Sequence, residues 1–176
     1  MIKTTKITTP LGEMIAGAIS DGICLLEFSE GRSVHSGLEN LTKLLETEAK
    51  EGRSRHLRQL KKELKEYFSG KRKEFTVKLV TPGFEFQKSV WNQLRHIPYG
   101  ETISYQKQAE ILKNPPSVRA VAHANASNRI AIVIPCHRVI GSDKRLVGYG
   151  GGLERKRWLI NHEREHSVRR SEPELF

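Results

Sequence analysis

The sequence predicts an α+β fold: a small N-terminal strand-helix domain built on an antiparallel sheet, followed by a mostly helical C-terminal domain with a helix-turn-helix, winged-helix-like outline. Three observations predict it. The first thirty residues alternate or run β-branched between turn signals. Two amphipathic helical patterns come next, and beyond Thr81-Pro82-Gly83 the period becomes helical in short segments divided by Pro and Gly. At 176 residues, with 37% hydrophobic and 28% charged side chains, the chain can bury a core as one ordinary domain or two small ones.

Ile2–Thr8, Glu13–Ile19 and Ile23–Phe28 read as a β meander, with Asp21-Gly22 as a hairpin signal. Leu38, Leu41, Leu44, Leu45 and Ala49 share one helical face, and Leu57, Leu60, Leu64 and Phe68 share another. Ser54 is placed to cap the second helix and Gly70 to stop it. Phe75, Val77 and Leu79 alternate as one more strand, which closes an N-terminal domain over residues 1–80. Phe86, Val90, Trp91 and Leu94 form the stripe of a helix ended by Pro98-Tyr99-Gly100. Ser104 caps a helix through Leu112, Asn114-Pro115-Pro116 enforces a turn, and Ser117 caps Val118–Ala126 with Arg119 in its first turn. Ile130–Ile134 reads as a short, buried, extended run, and Glu154–His166 as a densely charged helix. The C-terminal domain is expected over residues 84–167, with a polar tail over 168–176.

The 30 Lys and Arg against 20 Asp and Glu give a net charge of +10, which makes a polyanion the first partner to consider. The excess is concentrated in residues 85–170, with 15 basic and 7 acidic groups, against 15 and 11 in residues 1–84. Two cysteines, Cys24 and Cys136, exclude a disulfide framework. The absence of a long apolar run or a signal pattern leads to the expectation of a reduced, cytoplasmic protein without a membrane partner. Cys24 lies in an apolar run and reads as a small core residue.

Cys136 reads differently. It comes after the Ile130–Ile134 run and precedes His137 and Arg138, the residue types that turn a thiol into a thiolate. Spacing alone leaves a structural Cys beside a surface His-Arg pair equally open. Gly148-Tyr149-Gly150-Gly151-Gly152 lets backbone approach a ligand but lacks dinucleotide or Walker spacing. His162-Glu163-Arg164-Glu165-His166 matches the zinc-protease pattern. Its only later third-ligand candidates are Glu172 and Glu174 in the polar tail, so a solvated terminal helix is the expected reading of His166, with no metal.

Ile134-Pro135-Cys136-His137-Arg138-Val139-Ile140, with Gly148–Leu153, closely resembles the O6-alkylguanine-DNA alkyltransferases. The likeness extends over roughly residues 84–165, through Phe86-Gln87, Val90-Trp91, Gly100–Tyr105, Arg119-Ala120-Val121 and Trp158–Glu163. It implies direct-reversal DNA repair: irreversible, single-turnover transfer of an alkyl group from guanine O6, and from thymine O4, in duplex DNA. The acceptor is Cys136, reached after the nucleotide is extruded from the stack. His137 would deprotonate Cys136 through a water, with Glu163 orienting the imidazole. Tyr105 would crowd the phosphate and donate a proton to the departing guanine, and Asn128 would be the hinge before the active segment. Arg119 would fill the gap in the stack. Gln106, Asn114 and Ser142, with Gln87, match DNA-binding positions, and binding would be through the minor groove. Val139, Tyr149 and Gly150 would line the base pocket, with the Cys136 and Val139 carbonyls reading the guanine amino group. The resemblance implies no cofactor and a monomer.

The sequence departs from the family at three points. Ala122-His123 stand where relatives often have Gly-Gly, and Gly150 where some have serine. The zinc ligands of some N-terminal domains have no match around Cys24. A lesion-binding module without transfer would lack the nucleophile, and a plain helix-turn-helix regulator would not need the Pro-Cys-His-Arg run.

Overall fold

A computed structural model describes residues 1–30, 34–112 and 117–168. The N-terminal meander forms as the alternation dictates: β1 (Ile2–Thr9), β2 (Gly12–Ile19) and β3 (Gly22–Phe28) pair antiparallel in succession. A short strand that the pattern did not announce, β4 (Ala49–Glu51), adds parallel to β1, so the sheet runs β3-β2-β1-β4 and is mixed. Ala49 therefore belongs to a strand, not to the preceding helix α1 (Val34–Leu44).

The two faces of the sheet bury different cores. Ile2, Cys24 and Leu25 pack with Leu41 of α1 on one side, which gives Cys24 the structural burial expected of it. On the other side Ile7, Met14, Ala16 and Leu26 meet Leu57, Leu60, Leu64 and Tyr67 of α2 (Arg55–Phe68) and continue into Trp91, Leu94, Ile130 and Leu159. Ser54 caps α2 by accepting from His56 N at 3.1 Å, and Gly70, at φ +79°, ends it.

Two extended segments predicted from apolar spacing are not strands. Over Phe75–Leu79 only Leu79 bridges β3, opposite Ile23. The buried Glu63 carboxylate takes the N–H groups of Thr76 (3.0 Å) and Val77 (3.3 Å), so this stretch has no donors left for a ladder there. The Ile130–Ile134 run is buried but coiled. Ile130 alone bridges Leu26, Ile134 N bonds back to Ile130 O at 3.0 Å, and Ile132 adopts a left-handed φ of 71°. These bridges cover the free edge of β3, which would otherwise present unpaired backbone.

The C-terminal half consists of short helices. α3 (Glu85–Leu94), α4 (Tyr105–Ile111) and α5 (Val118–Ala126) pack with α5 against both others. Ser104 accepts from Lys107 N at 2.9 Å and Ser117 from Ala120 N at 3.2 Å, as the capping pattern requires. Asn114-Pro115-Pro116 lies outside the described residues. Strands β5 (Ile103–Ser104) and β6 (Val139–Ile140) form a parallel pair beside α4, and α6 (Leu153–Val168) closes the molecule. No helix is long and apolar enough to cross a membrane among the described residues.

Glu27 on β3 sits against Gly37 of α1 with one carboxylate oxygen buried and unbonded. Burial pushes its pKa up to about 7, against the pull of the Arg129 charge. The folded state therefore holds a proton that the unfolded chain releases near pH 4.5, and stability from this group is lost as pH rises through 7. Glu27→Gln should raise the melting temperature at pH 8 and leave it unchanged at pH 4.5, as read by calorimetry.

Candidate active site

Asn128 ends the α5 segment and folds the apolar run after it. Its side-chain carbonyl accepts from Ile130 N (3.0 Å), while its amide donates to Ile134 O (2.9 Å) and to Cys136 Sγ (3.3 Å). One side chain thus spans the coiled run and touches the thiol at its end. Cys136–Arg138 then make a single 3-10 turn, with Cys136 O accepting from Val139 N. In that turn Cys136, His137 and Arg138 do not splay as neighbours on a strand would.

His137 and Arg138 are both buried, and both reach Glu163 of α6. Glu163 accepts five hydrogen bonds. Oε1 takes His137 Nε2 (2.7 Å), Tyr67 Oη (2.8 Å) and Arg138 Nη2 (3.0 Å); Oε2 takes Arg138 Nε (2.8 Å) and Gly100 N (3.4 Å). Burial alone would raise the pKa of Glu163, but His137 and Arg138 hold it well below the ordinary carboxylate range. An ionised Glu163 accepts the Nε2 proton of His137, so Nδ1 is the ring nitrogen left over for another partner. Nδ1 is buried and has no hydrogen-bond partner.

The thiol has fewer supports. Burial pushes the Cys136 pKa up, opposed by the Asn128 amide and the positive charge of Lys156. Lys156 is fully buried, donates to Val147 O (2.9 Å) and Gly148 O (3.1 Å), and has its pKa pushed down by burial to about 8. Val147 O also accepts from Tyr105 Oη at 3.0 Å, and Lys156 Nζ lies 5.7 Å from the Tyr105 ring centre. Burial and the nearby Cys136 raise the Tyr105 hydroxyl to about 12. The Tyr149 hydroxyl is buried without a partner and is likewise raised, by burial and then by Cys136. Val139 is buried, whereas Gly150 is exposed and a Cβ there would meet nothing within 4 Å.

The remaining sequence candidates lie elsewhere. Arg119, Gln106 and Ser142 are exposed, on α5, on α4 and in the turn after β6. Asn114 lies outside the described residues. Gln87 is committed internally: its amide donates to Ser127 Oγ (3.2 Å) and its carbonyl accepts from Phe84 N (3.0 Å), so it ties α3 to the end of α5. The zinc-like pattern is divided. Glu163 turns to His137, while His162 stacks on Trp158 and donates through Nε2 to Tyr67 O at 2.8 Å. His166 is not a solvated residue: it is half-buried against Gly70 and donates through Nδ1 to His162 O. Among the described residues no three His, Cys, Asp or Glu side chains are placed to hold a metal ion.

Residues 85–165 match the family described as "6-O-methylguanine DNA methyltransferase, DNA binding domain". Residues 2–81 match "6-O-methylguanine DNA methyltransferase, ribonuclease-like domain". The chain belongs to the 6-O-methylguanine DNA methyltransferase family. It is 40% identical over 88% of its length to a methylated-DNA–protein-cysteine methyltransferase of Methanosarcina acetivorans, covering 94% of that protein. It is 41% identical over 91% to the constitutive Bacillus subtilis protein of the same name, again covering 94% of it. Among solved structures, the Mycobacterium tuberculosis O6-methylguanine methyltransferase superposes with a TM-score of 0.79 at 36% identity over 94% of each chain. The M. tuberculosis OGT in complex with DNA superposes at 0.77, with 36% identity over 92% of each.

For this member of the methyltransferase family, sequence reasoning missed Tyr67, Gly100 and Lys156. A tyrosine inside the apolar stripe of α2 was the available signal for the first, because a buried hydroxyl needs a partner. Lys156 carried none: a lysine on a charged helix reads as solvated.

Tyr67→Phe should lower stability to urea by about 1–2 kcal/mol, and Glu163→Ala by about 3–5 kcal/mol because it leaves Arg138 buried and unpaired. Lys156→Met should shift the pH midpoint of Cys136 alkylation by iodoacetamide upward. About one pH unit corresponds to a tenfold slower reaction on the low-pH limb.

Proposed function

We propose that this protein repairs DNA by taking the alkyl group from O6-alkylguanine in duplex DNA onto Cys136. The observation that carries the reading is the 2.7 Å bond from His137 Nε2 to Glu163, which commits that nitrogen and leaves the buried, unpartnered Nδ1 as the base one residue from the thiol. The Sγ proton passes through a bridging water to Nδ1, and Glu163 stabilises the imidazolium that forms. The thiolate attacks the alkyl carbon; the S–C bond forms as the C–O6 bond breaks, and the electron pair leaves with guanine. Tyr105 Oη supplies the proton that guanine needs, and the resulting phenolate is stabilised by Lys156 beneath its ring.

A thioether is not hydrolysed in neutral water, so each molecule acts once; it acts as a monomer. Thymine O4 adducts present the same alkyl–oxygen bond and are a second substrate. The target base must leave the stack to reach Sγ, with Arg119, exposed in the first turn of α5, filling its place. Gln106 and Ser142 hold the phosphate backbone without reading sequence. Tyr149, Val139 and the open position at Gly150 line the pocket for the base. The chain divides into a supporting domain over residues 1–80 and a reacting domain over 84–167.

Incubation with a duplex containing O6-methylguanine, followed by peptide mass analysis, tests the reading. One methyl group is expected on the peptide holding Cys136 and none with Cys136→Ser; binding without any change in mass would leave only a lesion-binding module. Arg119→Ala should slow transfer far more than it weakens duplex binding, and equal losses would make Arg119 a phosphate contact only.

A further inference from the structure

The N-terminal half carries a concentration of charge that the reacting site does not use. On α2, Arg55, Arg58, Lys61, Lys62 and Lys65 are all exposed, and Arg53 precedes the cap. At ~100° per residue the five helical cations fall within an arc of about 120° and extend along about 15 Å of the axis. Among the described residues none of the six forms an ion pair: Glu63 is buried and bonded to Thr76, and Glu66 is paired to Arg72.

This arrangement is electrostatically costly three times over. Arg58–Lys62 and Lys61–Lys65 are like-charge pairs at helical contact spacing, each unfavourable by a few tenths of a kcal/mol. The first turn of α2 holds no acid, so Arg55 and Arg58 oppose the positive end of the helix dipole. Lys3 and Lys50 are directly paired across the parallel β1–β4 ladder, another like-charge contact. Lys3, Arg53, Arg55 and Arg58 line one groove of about 540 Å³ at the start of the helix. A polyanion laid along α2 relieves all three costs together.

We infer that the outer face of α2 is a second nucleic-acid surface, which holds the phosphate backbone of a duplex segment other than the one engaged by α4 and α5. The inference goes beyond the repair reading and does not depend on transfer chemistry. α2 packs on β1, β2 and β3, whereas Arg119 stands on α5, which packs on α3 and α4. The occupant is identified by charge complementarity: each strand of duplex DNA presents one charge per ~3.4 Å of axis, close to the spacing of five cations along about 15 Å of helix. A membrane would require an apolar wedge and a protein partner an apolar anchor, yet no exposed large hydrophobic residue lies on α2.

A bridging assay tests it. An undamaged duplex is fixed to beads, and capture of a second, fluorescent duplex through the protein is read at ~50 mM salt. The wild-type protein should capture the free duplex. Arg58→Glu/Lys62→Glu/Lys65→Glu should reduce capture on the order of tenfold, and Arg58→Gln/Lys62→Gln/Lys65→Gln by a smaller factor, with a shallower salt dependence in both. Methyl transfer to Cys136 from a short damaged duplex, measured in parallel, should be unchanged in both variants, which shows that they are folded. Failure of the wild type to capture, or capture by the Glu variant at the wild-type level, would overturn the inference. Loss of methyl transfer in the wild type would count against the repair reading alone.

Discussion

A single carboxylate with nowhere to shed its charge organises this molecule. Glu163 is 1% exposed, and an ionised group at such depth is tolerated only when its oxygens are filled by donors. The donors come from three places in the chain: Tyr67 at the end of α2, Gly100 in the turn after α3, and His137 and Arg138 in the 3-10 turn. Each must be in position for the others to be worth their desolvation. Arg138 extends the knot by donating to Ile97 O at 2.7 Å, which also fixes the end of α3. Through the Tyr67 hydroxyl the N-terminal half thus bonds directly to this carboxylate.

The thiol is treated in the opposite way. Its surroundings push the thiol pKa up, opposed by one amide, one buried ammonium and a backbone hydrogen bond at Cys136 itself. Asn128 links that restraint to α5, because it lies two residues past the helix end while its side chain shapes the coiled run and touches Sγ. Tyr105 and Lys156 share Val147 O, so the Gly-rich stretch that carries Tyr149 is tied to both. Arg155 adds a tie to the β1–β2 turn through Leu11 O at 2.8 Å and to Gly151 O at 3.1 Å. Tyr105, Lys156 and Arg155 are therefore set by backbone carbonyls as much as by side-chain pairs.

Features governed by local forces were legible in the sequence, and those governed by distant partners were not. Ser54, Ser104 and Ser117 announced their helices because a cap acts on its own next turn. The meander was legible because strand alternation and the Asp21-Gly22 turn agree. Phe75–Leu79 failed because a carboxylate thirteen residues before Thr76, that of Glu63, claims its donors. The Ile130–Ile134 run failed because Asn128 coils it. In α6 periodicity fails altogether: Lys156, His162 and Glu163 occupy buried positions beside Leu159 and Ile160, so the apolar face is interrupted by the residues that matter most. Cys136, His137 and Glu163 were found through their motif, while Tyr67 and Lys156 depend on tertiary contacts that no local pattern encodes.

The most direct measurement is the ¹⁵N spectrum of His137 in the unmodified protein at neutral pH. If Glu163 is the charged acceptor around which the site is built, His137 keeps its proton on Nε2, and in the neutral ring Nδ1 is the bare nitrogen with the chemical shift of an unprotonated imidazole site. A spectrum with the proton on Nδ1 and Nε2 bare would mean that Glu163 is not the organising charge and that His137 has no free base to offer the thiol.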